Sequence, residues 1–387
     1  MQKEPNILPE RVIVFFIDGL HWKAPEKLHM PVLNGLAAQG TSVARSYMIV
    51  PHHPTVGEYG HLHSSSFPNP VLQEGTLFIK AGNKMLQDVF APAEVTAFVA
   101  NTTAYLSVSK GFNINIHNPN LSDEAVVRQS IRLLNEYDTK YFRIHLQTPG
   151  NEGRYLSYTT PDKPYYRNIW GEGSPYAGAV EQADRLLGEL VADLQRSGKW
   201  ESTLLVVTSD HGQSEQGWHP IIEEDSVMTP MVFTGPSIAR NKQLPYFEHT
   251  DLSPTIAGLM GREKPNHDGG AGIFIHDVLM RDVLIHDVGA TSGAAVFQHP
   301  RYIQTINRQL NEYNALRARM MIAGERDPYF SSLISYLENE LLTPEPFYHQ
   351  DRFLEWYKSG STQHLIEVNG RILGQMRQEL SVLKDLK

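Results

Sequence analysis

The chain has 387 residues, with 34 Lys and Arg against 43 Asp and Glu, 17 His and no Cys. The missing cysteine excludes a disulfide framework, a thiolate metal site and a cysteine nucleophile, and a net charge of −9 argues against a nucleic-acid or anionic-membrane binder. Hydrophobic residues at 41% and aromatics at 10% describe a globular chain with a sizeable core, either one large domain with additions or two domains.

Residues 1–11 are polar, and the apolar run Val12–Ile17 stops at Asp18. No stretch approaches the roughly 20 apolar residues of a membrane span, so the sequence predicts a cytoplasmic chain without leader or membrane contact. VIVFFI predicts a strand buried on both faces of a parallel sheet. Asp18 then stands at the carboxyl end of that strand, where open α/β sheets hold their ligands. Pro31–Gln39 predicts a short helix stopped by Gly40, and Thr41–Val50, Glu94–Ala100 and Lys140–Leu146 predict further strands. The Gly-, Pro- and Tyr-rich stretch 149–175 predicts a lid or a substrate-contacting insertion.

Between Ala177 and Arg196, Val180, Ala183, Leu187, Leu190, Val191 and Leu194 recur at helical spacing. That helix leads into a buried strand, Thr203–Thr208, which ends in Ser209-Asp210-His211-Gly212. Met231–Thr234 predicts another strand, and Asp251–Met260 a helix stopped by Gly261. The alternation predicts an α/β fold: a doubly wound, mostly parallel sheet with helices on both faces. Beyond Pro300 strand runs disappear, and Tyr302–Met321, Pro328–Leu342 and Asp351–Leu386 predict helices. The expected organisation is a core over 1–290 and a helical C-terminal extension over 291–387, whose amphipathic helices offer a homodimer surface.

The strongest chemical signal is a pair of strand-end acids, Asp18 and Asp210, the second followed by His211. If their strands are neighbours, two carboxylates and an imidazole converge at one edge of the sheet. That donor set suits Zn²⁺ or Mn²⁺, and Mg²⁺ or Ca²⁺ less well because of the histidine. The alternative is that Asp210 and His211 only cap the turn that follows. His21, beside Asp18, is placed to hold a ligand or substrate. His52, His53, His61 and His63 cluster within twelve residues, either in the site or as surface histidines of a polar loop.

The order Phe16-Ile17-Asp18-Gly19, Pro54-Thr55 with Gly60-His61, Thr208-Ser209-Asp210-His211-Gly212 and His249-Thr250-Asp251-Leu252-Ser253-Pro254-Thr255 resembles the alkaline phosphatase superfamily. That superfamily includes phosphatases, phosphodiesterases, sulfatases and phosphoethanolamine transferases. The resemblance covers roughly residues 10–285 and implies an alkaline-phosphatase-like fold. It implies that Asp18, Asp210 and His211 ligate a metal ion, that His219 contacts a second metal or the substrate, and that His61 belongs to the nucleophile loop.

Two positions depart from the family pattern. Gly57 stands where the family has its nucleophile, and Gly150 and Arg154 stand where it has an Asp and a His for a second metal. The expectation is therefore one divalent ion, with Arg154 and His219 contacting a small anionic substrate. A guanidinium can bind an oxyanion bidentately. Gly57 leaves room for water as the attacking group; Thr55, in a shifted loop, or Glu58, as base, are the side chains placed to assist, although Thr55 after Pro54 reads more readily as a turn residue. The sequence thus leaves two readings open. One is a metal-dependent hydrolase or transferase of phosphate, phosphonate or sulfate esters. The other is a superfamily member that has lost the covalent chemistry and binds ligands, or runs another reaction, in the same pocket.

Overall fold

The structure is a computed structural model. It describes residues 8–48, 62–64, 84–220, 223–244, 247–265, 274–280, 309, 312–313, 316–317, 319–336 and 362–382. Among the described residues nine strands form one sheet: β1 Arg11–Ile17, β2 Thr41–Tyr47, β3 Val95–Ala100, β4 Ile114–His117, β5 Thr139–Leu146, β6 Thr203–Thr208, β7 Met228–Thr234, β8 Lys242–Leu244 and β9 Phe247–Glu248. Their order is β4-β3-β5-β1-β6-β7-β2-β8, with β9 also on β2. Only β7 runs against its neighbours, antiparallel to β6 and to β2; the remaining pairs are parallel.

The register explains the sequence pattern. β1 lies between β5 and β6, with Phe16 opposite His145 on one side and Thr208 on the other. A strand covered on both faces reads as an unbroken apolar run. Ile13, Phe15 and Ile17 enter one core cluster, while Val12, Val14 and Phe16 enter the cluster on the other face. The Pro175–Arg196 helix lies on the first face, burying Val180, Ala183, Leu187, Leu190 and Leu194 there.

Several elements lie where the sequence reading placed none, among them β4 and the Asp123–Glu136 helix. β4 is a short edge strand, INIH, whose polar Asn115 breaks the apolar run. The Asp123–Glu136 helix starts at Ser122, whose hydroxyl accepts the Ala125 N–H at 3.2 Å. The 149–175 stretch, expected as a lid or a substrate-contacting insertion, begins inside the Thr148–Leu156 helix, with Gly150, Gly153 and Leu156 buried.

Two of the three predicted C-terminal helices are described, over Pro328–Tyr336 and Thr362–Val382, and most of Tyr302–Met321 lies outside the described residues. Their buried residues, including Phe330, Leu333, Ile372 and Met376, belong to neither cluster flanking the sheet. Tyr329 Oη donates to Glu379 Oε2 at 3.1 Å, tying one helix to the other. Among the described residues no helix is long and apolar enough to cross a membrane.

Candidate metal centre

Side chains alternate across a strand, so residues two apart share a face. Asp18 continues the Val14–Phe16 row of β1, and Asp210 continues the Leu204–Val206 row of β6. Both rows belong to one core cluster, so both carboxylates emerge at the carboxyl edge on the same face. Gly19 turns the chain sharply with φ of 62°. Its N–H then donates to Asp210 Oδ1 at 3.3 Å, stitching the two strand ends together.

A third residue joins them from β5. His145 Nε2 is 3.1 Å from Asp18 Oδ2, and Asp18, His145 and Asp210 offer donor atoms that all lie within 4.8 Å of one another. His211 Nε2 stands 3.3 Å from Asp210 Oδ2 and 3.8 Å from Asp18 Oδ1. The hydroxyl of Tyr105 donates to Asp210 Oδ2, and the Tyr105 ring packs 4.6 Å from the His145 ring. Asp18 and Asp210 are almost entirely buried, at 3% and 0% exposure. Two buried carboxylates side by side require opposite charge.

The tautomer of His211 shows what kind of partner fits. His211 Nδ1 lies 2.8 Å from the Gly212 carbonyl oxygen, which can only accept, so Nδ1 carries the ring proton. In the neutral ring Nε2 therefore aims a lone pair at two carboxylates, an arrangement that a divalent cation among the three groups would satisfy. The residues present fit such an ion. Asp18, Asp210 and His211 come together as the sequence predicted.

The wall beside Asp18 is the Thr148–Leu156 helix. Asp123 Oδ1 accepts from Asn101 Nδ2 at 2.6 Å and from the Thr148 N–H at 3.4 Å, which anchors the helix start. Burial pushes the Asp123 carboxyl above its ordinary range, against those hydrogen bonds. A Cβ added to Gly150 would collide with Asp18 Oδ1. The glycine thus lets the Asp18 carboxylate lie against the first turn of a helix, at the positive end of its dipole.

The remaining expected site residues divide. His219 packs on His211 with ring centroids 4.0 Å apart, Trp218 stacks on His219 at 4.1 Å, and the Arg154 guanidinium covers Trp218 at 5.0 Å. Trp218 holds φ of 66°, a rare conformation for a bulky residue, because its N–H is fixed to Gly153 O at 3.0 Å. Arg154 is exposed at the outer end of this stack.

His21 is buried, but its imidazole faces Asp225, with Nε2 3.5 Å from Asp225 Oδ2. Thr55, Gly57, Glu58 and His61 lie outside the described residues. Within the same loop group, His63 contacts the buried Arg143 guanidinium, and Ser253 Oγ of the Leu252–Leu259 helix donates to Leu62 O. Residues His145, Tyr105 and Arg143 were missed. The signal was present in KYFRIHL, where Arg143 and His145 alternate with fully buried apolar residues and so share one face.

The described architecture is a doubly wound α/β domain with a buried acid and imidazole cluster at the carboxyl edge of its sheet. Residues 78–262 match the Sulfatase family model. Mouse arylsulfatase K is 24% identical over 177 residues, 44% of this chain and 29% of that protein. The multifunctional alkaline phosphatase superfamily protein PehA of Trinickia caryophylli is 29% identical over 107 residues, covering 26% of this chain and 21% of its own. Among solved structures, the phosphonate monoester hydrolase of Silicibacter pomeroyi aligns with a TM-score of 0.54 at 16% identity, covering 70% of this chain and 76% of that one. Over this stretch the chain is similar to sulfatases and to other alkaline phosphatase superfamily proteins, and its fold is of that type. The matched stretch spans less than a third of the length of either curated relative.

Proposed function

We propose that the chain is a metal-dependent hydrolase or transferase of sulfate or phosphate esters, working with one divalent cation held by Asp18, Asp210 and His211. The observation that carries this reading is the His211 lone pair aimed at two buried carboxylates. The named relatives support the ester class: arylsulfatase K, and the choline-sulfatase of Rhizobium meliloti at 33% identity over 98 residues, 24% of this chain and 19% of that protein. A bound cation of this type polarises an ester oxyanion and acidifies water.

The chain's own groups supply the rest. His219, pressed on His211, and Arg154, beyond Trp218, face the anionic substrate. His21, paired with Asp225, fixes the turn after Asp18. Gly57 makes water the attacking group, with His61, Thr55 and Glu58 in the loop around it. Zn²⁺ or Mn²⁺ suits the mixed oxygen and nitrogen donors better than Mg²⁺ or Ca²⁺.

A second reading rests on Gly57 alone: a protein that binds such esters without cleaving them. Turnover of aryl sulfate, aryl phosphate and phosphodiester substrates, with and without added Zn²⁺ or Mn²⁺, separates the two. Metal-stimulated hydrolysis of one class that disappears in Asp210→Ala supports the enzyme. Ester binding without turnover, with activity gained only in Gly57→Thr, supports the binding protein.

A further inference from the structure

Gln213 lies two residues beyond His211, fully buried, and among the described residues neither its Oε1 nor its Nε2 has a hydrogen-bond partner. A buried primary amide brings two donors and an acceptor oxygen out of water, and leaving them unmet is costly and rare in a native interior. Such a group calls for a ligand or for a functional reason to persist.

Its surroundings place it at the metal centre. A Cβ on Gly19 would stand 3.2 Å from Gln213 Oε1 and 3.5 Å from His211 Cε1, while a Cβ on Gly153 would collide with Gln213 Nε2 and one on Gly150 with Asp18 Oδ1. Three glycines, from the turn after β1 and from the Thr148–Leu156 helix, thus close around the amide, His211 and Asp18. Any larger residue at those positions would push these groups apart.

We propose that Gln213 is an oxyanion-binding residue of this site, its Nε2 donating to an oxygen of the tetrahedral sulfate or phosphate group bound beside Asp18, Asp210 and His211. This rests on the ester-processing reading above. A neutral donor suits the position, because it binds an anion oxygen without demanding a counter-charge of its own beside two carboxylates. Fixed in advance by the glycines, it stabilises charge on the bound group without reorganising.

The test is Gln213→Met, which keeps the length of the side chain and removes its polar atoms, with Gln213→Glu as a second variant of near-identical size. Binding of inorganic sulfate and phosphate to the Zn²⁺- or Mn²⁺-loaded protein is measured by calorimetry, and melting is followed on the metal-free, anion-free protein. Gln213→Met should weaken the anion by about 10- to 100-fold, and Gln213→Glu by more. The metal-free Gln213→Met protein should melt no lower than wild type, since an unmet amide has been removed. A purely structural amide predicts the reverse: lower melting and anion affinity unmoved. Unchanged anion affinity in both variants overturns the proposal alone. Wild-type protein that binds neither anion overturns the site reading and the proposal together.

Discussion

Two clusters of histidine and acid stand at the carboxyl edge of this sheet, built from similar residues and prepared for opposite ends. In the first, Asp18, Asp210 and His145 bring donor atoms together with His211 beside the two carboxylates; in the second, His21, Asp225 and Glu215 bring theirs within the same span. The difference lies in what the backbone offers each ring. His211 Nδ1 meets a carbonyl and must donate, so its Nε2 lone pair faces the carboxylates. His21 Nδ1 accepts the Lys23 N–H at 2.9 Å, so in the neutral ring Nε2 carries the proton toward Asp225. Asp225 also accepts from Trp22 Nε1 at 2.6 Å, and Glu215 is paired with Lys23 at 3.3 Å. In the first cluster the His211 lone pair faces the carboxylates, while in the second Asp225 and Glu215 are met by Trp22 and Lys23. Proximity of metal-type donors is therefore a weaker criterion than the tautomer the surrounding backbone imposes.

The largest effect expected from that contrast is on metal affinity. Asp210→Asn should weaken Zn²⁺ or Mn²⁺ binding by more than about 100-fold, since changes in groups that merely support a ligand already cost 10- to 100-fold. Asp225→Asn should leave affinity and stoichiometry as they are. Calorimetric titration of both variants checks this, and a comparable loss in the two would erase the distinction.

His145→Ala should reduce metal affinity by about 10- to 100-fold without abolishing it, whether His145 ligates directly or only orients Asp18. Full affinity in that variant would remove β5 from the site.

Gly150→Ala drives a methyl group into Asp18 Oδ1. Overpacking of this kind costs about 1–3 kcal/mol, read by denaturant unfolding of metal-free protein, and it should also lower metal affinity while sparing the His21–Asp225 pair. The smallest effect should come from Trp22→Phe, which removes the hydrogen bond to Asp225. Because Asp225 is partly exposed, a loss of about 1 kcal/mol of stability is expected, with metal affinity unchanged.

Much of this was legible in the residues. Two unbroken apolar runs ending in Asp18 and Asp210 placed both carboxylates correctly, because a strand buried on both faces has little freedom in composition and a fixed side-chain period. His145 escaped because KYFRIHL was read for its apolar content, although Arg143 and His145 already occupied alternate places in it. The direction of His21 was not legible for a different reason. Adjacency to Asp18 in sequence says nothing about direction, and the turn after Gly19, fixed by Tyr176 Oη donating to Gly19 O at 2.9 Å, sends the imidazole toward Asp225. The helical start of the 149–175 stretch was not legible, since Gly150 and Gly153 serve close packing against Asp18 and Gln213 there, which composition alone cannot distinguish from a loop.

The central claim is that the buried carboxylates at the ends of β1 and β6 hold a divalent cation. Equilibrium dialysis of metal-free wild-type protein against micromolar Zn²⁺ or Mn²⁺, followed by elemental analysis, tests it most directly. The account predicts about one ion retained per chain and lost in Asp210→Ala, in keeping with a single closed set of oxygen and nitrogen donors. Wild-type protein that retains none, or an Asp210→Ala variant that retains as much, would contradict it.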